Sequence, residues 1–391
     1  MNGLHDVPLT PAHLRGAVEV EHTPRGGLLP HRLPAWARAQ LPDPQLLMAE
    51  AQPSGVRVAL RTAATVLELE TRATKRVYVG VPPRPDGVYE VAVGGAVVAT
   101  GSVGGGDVLT IDLGAGSMTR SDGGAGVVRF AGLPGGTDGV RDVEIWLPHD
   151  EQTELVALRA DAPVEAAPAD GRRRWLHHGS SISHGSNAAT PTGTWPAVAA
   201  ALADVDLINL GFGGSALLDP STARVMRDLP ADVISVKLGI NLVNADLMRL
   251  RALAPAVHGF LDTIREGHPT TPLLVVSSIF CGIHEDTPGP SAPDMEAAAE
   301  GRVRFVATGD PAEVARGRLT LRVVREQLAA VVAQRAGTDP HVAYLDGTTL
   351  YGEGDAERLP LPDGLHPDAA THRLIGERFA AAAFGRGGPL G

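Results

Sequence analysis

"WLHHGSSISHG", residues 175–185, sets the problem. A short apolar pair, Trp175-Leu176, runs into two histidines. A turn bounded by Gly179 and Gly185 then holds Ser180, Ser181 and Ser183. An apolar run that stops at a Gly/Ser turn reads as a strand that ends there. The turn offers serines as nucleophiles, and His177, His178 and His184 as bases or metal ligands. Adjacent residues of a strand point to opposite faces, so His177 and His178 do not converge on one ion.

Toward the C-terminus, apolar runs recur at 205–210, 233–238, 272–280 and 342–345. Between and after them lie helical patterns at 196–202, 221–229, 247–266, 313–336 and 367–384. Strand–helix alternation argues for an α/β unit, a parallel sheet covered on both faces. In such a sheet ligands gather at the carboxyl ends of the strands.

Toward the N-terminus the period changes to two. Val56, Val58 and Leu60 alternate with other residues. So do Val77, Val79 and Val81; Tyr89, Val91 and Val93; Leu109, Ile111 and Leu113; and Val143, Ile145 and Leu147. Gly94-Gly95 marks a hairpin. This half reads as an antiparallel sandwich or jelly roll, with a single short helix near 34–40. The Ala-, Pro- and charge-rich stretch 162–174 reads as a linker, so the expected domains are 1–165 and 172–386.

The composition narrows the class. The net charge of −11 argues against a general nucleic-acid binder, and Arg172-Arg173-Arg174 reads as a solvated strand end. One cysteine, Cys281, excludes an intrachain disulfide and a cysteine-based zinc site. No apolar stretch approaches the ~20 residues of a membrane span. The first residues lack a basic region followed by an apolar run, so the expected place is the cytoplasm.

The residues that follow the strands carry the chemistry. They are Gly179-Ser180-Ser181, Gly211-Phe212-Gly213-Gly214-Ser215, Gly239-Ile240-Asn241 and Asp363-Gly364-Leu365-His366. A serine, a Gly-rich turn, an asparagine and an Asp/His pair thus map to one rim. Acyl transfer needs such a set. The hydroxyl needs a base, the base needs a carboxylate to orient it, and the developing oxyanion needs fixed donors.

These four blocks, in this order, resemble those of the SGNH (GDSL-type) hydrolases over about residues 172–386. The resemblance implies a flavodoxin-like three-layer α/β/α sheet and a serine esterase that needs no metal or organic cofactor. It implies Ser181 as nucleophile, His366 as base and Asp363 as its orienting carboxylate. The Ser181 N–H, the Gly214 N–H and the Asn241 side chain would form the oxyanion hole. Where the family block reads Gly-Asp-Ser, this chain has Ser180 in place of the aspartate. The first half is similar to the all-β domain that precedes the hydrolase in some carbohydrate-esterase-like members.

Other readings remain beside this one. An acyltransferase would use the same triad with another acceptor. A carbohydrate-binding or scaffold protein would keep the fold without turnover. Gly211-Phe212-Gly213-Gly214-Ser215-Ala216 also fits a dinucleotide fingerprint, but that motif wants an acid at the end of the next strand. Asp232 stands at the start of that strand instead. The long segment 281–310 falls after the fourth strand and reads as a lid or substrate-binding insertion. His184, His284 and Glu285 are the expected substrate contacts. The substrate is a small-molecule or carbohydrate ester, and the sandwich half serves either its recognition or a homo-oligomer interface.

Overall fold

The computed structural model describes residues 3–112, 114–135 and 139–391. Leu113, named above in an alternating run, lies outside them. The chain forms two compact units. One comprises 1–34, 50–172 and 189–192, and the other 35–49, 173–188 and 193–391.

The first unit is built on two sheets, of eight and six strands. Its pairings are antiparallel except for Val66–Tyr78 against Asp107–Asp112, which run parallel. Leu67, Leu69, Leu155 and Leu158 of one sheet share a core with Val58, Leu60, Val91 and Ile145 of the other, which makes the unit a sandwich. The Gly94-Gly95 hairpin forms, both glycines having positive φ, and joins Val88–Val93 to Ala96–Ser102. Val79 and Val81 depart from expectation. The strand ends at Tyr78, and both valines are exposed. Part of the expected linker is also sheet, because Val164–Ala166 pairs with Arg57–Thr62.

The second unit carries a five-stranded parallel sheet: β1 (Arg174–Gly179), β2 (Asp206–Gly211), β3 (Val233–Lys237), β4 (Leu273–Val276) and β5 (Val342–Leu345). Their spatial order is 2-1-3-4-5, the flavodoxin-like order. Both faces are buried, which is why the strands read as apolar runs without alternation. On one face Trp175 packs among Trp195, Ile375 and Phe379, from the helices Trp195–Ala203 and Ala369–Phe379. On the other, His178 stacks on Phe260 of the helix Leu250–Gly267. These layers give the three-layer α/β/α arrangement that the alternation predicts.

Residues 35–49 fall in the sequence range expected for the sandwich, yet they group with the α/β unit. They hold two short helices, Ala35–Gln40 and Pro44–Glu50. The second has no counterpart in the sequence reading. Asp43 caps it, its Oδ1 accepting from Leu46 N at 2.8 Å, and Pro44 stands at its first turn. Leu46 anchors it, 1% exposed.

Candidate active site

Loops after β1, β2 and β3, together with the loop that precedes the last helix, deliver the reactive groups. Ser181 opens the short helix Ser181–His184 directly after β1. Asn209 of β2 ties that turn to the sheet, its Nδ2 donating to Ser183 O at 2.9 Å. After β3 the chain turns at Gly239, whose φ of 129° suits glycine alone. A Cβ there would meet Ser278 Oγ at 2.8 Å and Val324 Cγ1 at 2.9 Å. The turn sets Asn241 in the first turn of the next helix, 1% exposed.

Although 185 residues separate them, Ser181 and His366 meet, with Ser181 Oγ 3.0 Å from His366 Nε2. The other ring nitrogen, Nδ1, lies 2.8 Å from Asp363 Oδ2. The second oxygen of Asp363 accepts from the His366 and Leu365 N–H groups at 2.6 and 2.9 Å. Burial alone would push this carboxyl up. The His366 hydrogen bond and charge, with those backbone donors, outweigh burial and hold it below the usual range. The result is a hydroxyl, an imidazole and an ionised carboxylate in line.

The rival serines are elsewhere. Ser183 Oγ lies 2.8 Å from His177 Nε2, and His177 Nδ1 lies 2.7 Å from Ser235 Oγ. Both Ser183 and His177 are fully buried, and burial holds His177 well below its ordinary value. That pair has a hydroxyl where a triad has a carboxylate, and no access for substrate. Ser180 Oγ is buried and has no hydrogen-bond partner among the described residues.

The residues expected as oxyanion donors lie after β1, β2 and β3. Asn241 Oδ1 accepts from Ala216 N at 3.0 Å, which turns the amide and leaves Nδ2 as the donor end. Ser181 is the first residue of its helix, where N–H groups have no intrahelical acceptor. Gly214 follows Gly213, at which a Cβ would sit 3.7 Å from that of Ser181.

The three expected substrate contacts point inward. His184 is 5% exposed, and its Nδ1 accepts from Gly213 N at 3.2 Å, so it braces the Gly-rich turn. His284 is fully buried, with Nδ1 facing Thr287 O at 3.1 Å. Glu285 pairs with Arg325 and accepts from Cys281 N. The contacts of His184 and Glu285 brace loops, while His284 Nε2 is buried with no hydrogen-bond partner among the described residues. Burial also pushes the Cys281 thiol up to about 12, which removes it as a nucleophile.

Three residues with no motif to mark them stand close by. Asn187 Nδ2 donates to Asp363 Oδ2 at 3.3 Å. Gln45 Nε2 donates to Gly213 O at 2.8 Å. Phe305 presents its ring edge to His366 at 5.9 Å between centroids, and its N–H donates to Asp363 O at 2.9 Å. Phe305 belongs to the hairpin Ser291–Pro293/Phe305–Ala307, so the 281–310 insertion packs on the loop that carries the base. Asn187 has a positive φ of 65°, and asparagine tolerates that conformation well.

Asp219 precedes the helix Pro220–Asp228 beyond the Gly-rich turn. Burial and the Asp43 carboxylate push it up to about 6. Folding therefore binds a proton between about pH 4, where a free aspartate titrates, and about pH 6. Stability falls as pH rises through that window, and the penalty is complete above it. Asp219→Asn keeps the size of the side chain and removes the charge. We expect it to raise stability by about 1 kcal/mol at pH 8, after allowance for solvent screening, and by almost nothing at pH 4. Thermal melts of both proteins at the two pH values check this.

Among the described residues no group of three His, Cys, Asp or Glu side chains is placed to hold a metal ion. Among them, too, no helix is long and apolar enough to cross a membrane.

Comparison with known proteins places the chain in a family. The model of the GDSL-like lipase/acylhydrolase family matches residues 178–374. The model of the SsfX3 N-terminal domain matches residues 12–156. Among solved structures, the chain is similar to the salicylyl-acyltransferase SsfX3 from a tetracycline biosynthetic pathway. The identity is 30%, over 96% of this chain and 95% of that one, with a TM-score of 0.76. A family two carbohydrate esterase from Cellvibrio japonicus shares the fold at 13% identity and a TM-score of 0.55, over 97% of each chain. An acetyl xylan esterase from Butyrivibrio proteoclasticus does so at 11% and 0.51, over 96% of each. A search of curated protein sequences finds no match. With the α/β half matched by the family model and a whole-length relative at 30% identity, the chain belongs to the GDSL-like lipase/acylhydrolase family.

Proposed function

We propose that the chain is a serine esterase that cleaves carboxylic esters through an acyl-Ser181 intermediate. One observation carries the reading: the unbroken line from Ser181 Oγ through His366 to Asp363, at 3.0 and 2.8 Å. His366 Nε2 takes the hydroxyl proton as Oγ attacks the ester carbonyl carbon. The C=O π pair moves to oxygen, and the Ser181 N–H, the Gly214 N–H and Asn241 Nδ2 hold that oxyanion. The intermediate collapses, the C–O bond to the alcohol breaks, and His366 returns the proton to the leaving oxygen. Water then attacks the acyl-enzyme and gives its proton to His366. Collapse releases the carboxylic acid and restores the serine. Asp363 keeps the ring in the tautomer that this exchange needs and stabilises the imidazolium.

The substrates proposed are short-acyl esters of small molecules or carbohydrates. Likeness to the carbohydrate esterases supports this at the level of fold. Asn241→Ala is expected to lower kcat by roughly 10²–10³ with little change in KM, as loss of an oxyanion donor does. Steady-state kinetics on one active ester checks it, and a change confined to KM would count against the role.

A second reading has its own support. A whole-length relative at 30% identity is a salicylyl-acyltransferase, and the same triad can pass the acyl group to an alcohol. A panel of acetyl, longer-acyl and aromatic esters, run with and without added alcohols, separates the two. Free acid as the sole product supports the esterase. A new ester formed in preference to acid makes the chain a transferase.

A further inference from the structure

We infer that Gln45 is a positioning residue of the oxyanion hole, a latch that fixes the direction of the Gly214 N–H. The inference rests on the proposed role of Gly214 as an oxyanion donor.

Residues 212–215 form a tight turn closed by Ser215 N–H donating to Phe212 C=O at 3.0 Å. Gly214, its third residue, has φ of 75°, the mark of a type II turn. A type I turn has the same ends and differs chiefly by rotation of the central peptide through about half a turn. Here the central peptide joins Gly213 to Gly214. With glycine on both sides, neither orientation meets a Cβ, and the backbone alone selects between them weakly. The choice has a chemical consequence. In a planar trans peptide the C=O and N–H point in opposite directions. Rotation of this unit would carry the Gly214 N–H from one side of the turn to the other.

Gln45 holds that carbonyl. Its Nε2 donates to Gly213 O at 2.8 Å, which fixes the N–H on the opposite side. Donation to a carbonyl also polarises its peptide and strengthens the N–H as a donor. The His184 contact cannot substitute for this. It accepts the Gly213 N–H, which belongs to the preceding peptide, and leaves the Gly213–Gly214 unit free to turn. The fit at Gly214 is close as well: a Cβ there would lie 3.2 Å from Gln45 Cγ. Gln45 is presented by the helix Pro44–Glu50, which is capped by Asp43, anchored by Leu46 and grouped with the α/β unit. This explains why a segment from the sandwich half of the sequence folds with the hydrolase sheet.

The test uses the full chain and three variants. On a small activated ester such as p-nitrophenyl acetate, Gln45→Ala is expected to lower kcat by about 10- to 100-fold, part of the loss expected for a whole oxyanion donor, with KM within about two-fold. Gln45→Glu, which sets an acceptor against the Gly213 carbonyl, should fall at least as far. Gln45→Lys, which restores a donor of similar reach, should recover much of the rate. The rate of Ser181 phosphonylation by a fluorophosphonate should fall in Gln45→Ala by a similar factor, and thermal stability should stay near wild type. A wild-type kcat in Gln45→Ala beside a damaged Asn241→Ala would overturn the latch while leaving the oxyanion hole in place. A change in KM alone would make Gln45 a substrate contact and overturn it too. Failure of the wild-type enzyme to label at Ser181 would instead remove the reading on which the latch rests.

Discussion

Ser181→Ala is expected to lower kcat/KM by about a million-fold, to the residual level that binding and the oxyanion hole provide alone. Its fold should be unaffected, because the side chain is half-buried and its partner, His366, keeps the bond to Asp363. The neighbouring serines give the contrast. Ser183→Ala should keep turnover and lose stability, by about 1–3 kcal/mol, because it strands a buried ring nitrogen of His177. Ser180→Ala removes an oxygen that has no partner among the described residues, so neither activity nor stability should change much. Esterase assays and thermal melts on the three variants separate these outcomes. A serine-rich turn thus divides into one reactive, one structural and one silent hydroxyl.

Asp363→Asn is expected to cost about 10⁴ in kcat, with the protein folded. One carboxylate oxygen now accepts from two backbone N–H groups and the other faces His366 Nδ1 and Asn187 Nδ2. An amide has one acceptor and one donor end. If the oxygen stays on the backbone donors, the NH₂ faces Nδ1 and forces the ring into the wrong tautomer, with its proton on Nε2. Nε2 can then no longer take the proton from Ser181. Raising the pH should restore little of the rate, since the tautomer, not the charge of the ring, is at fault. A loss under ten-fold would mean that His366 is oriented by something else.

Much of this was legible in the sequence because Ser181, the Gly-rich turn and Asn241 each follow a strand directly. The runs at 205–210, 233–238 and 342–345 end where β2, β3 and β5 end, within one residue. The chemistry at their ends could therefore be placed on one rim before any coordinates. The Gly179-Ser180-Ser181 block favoured Ser181 over Ser183 by its resemblance to the family's, without a physical reason for the choice. Both lie in one turn and both meet a histidine, and only the tertiary fold decides which histidine has a carboxylate behind it. Gln45 was hidden for a different reason. Its helix is seven residues long, too short for a helical period, although Asp43-Pro44 gave a readable cap. Its target lies 168 residues away. His284 and Glu285, polar residues of a loop after the fourth strand, were read as facing the rim. Burial and the Arg325 ion pair turn them in. Phe305 carried no polar signal, and only the hairpin brings it to His366.

The central claim is that Ser181 forms the acyl-enzyme. The most direct measurement is peptide mapping by mass spectrometry of the wild-type chain after reaction with a fluorophosphonate, beside Ser181→Ala treated in the same way. The account predicts a single adduct, on Ser181, and none on the variant. An adduct on Ser183, or equal labelling of Ser181→Ala, would contradict it.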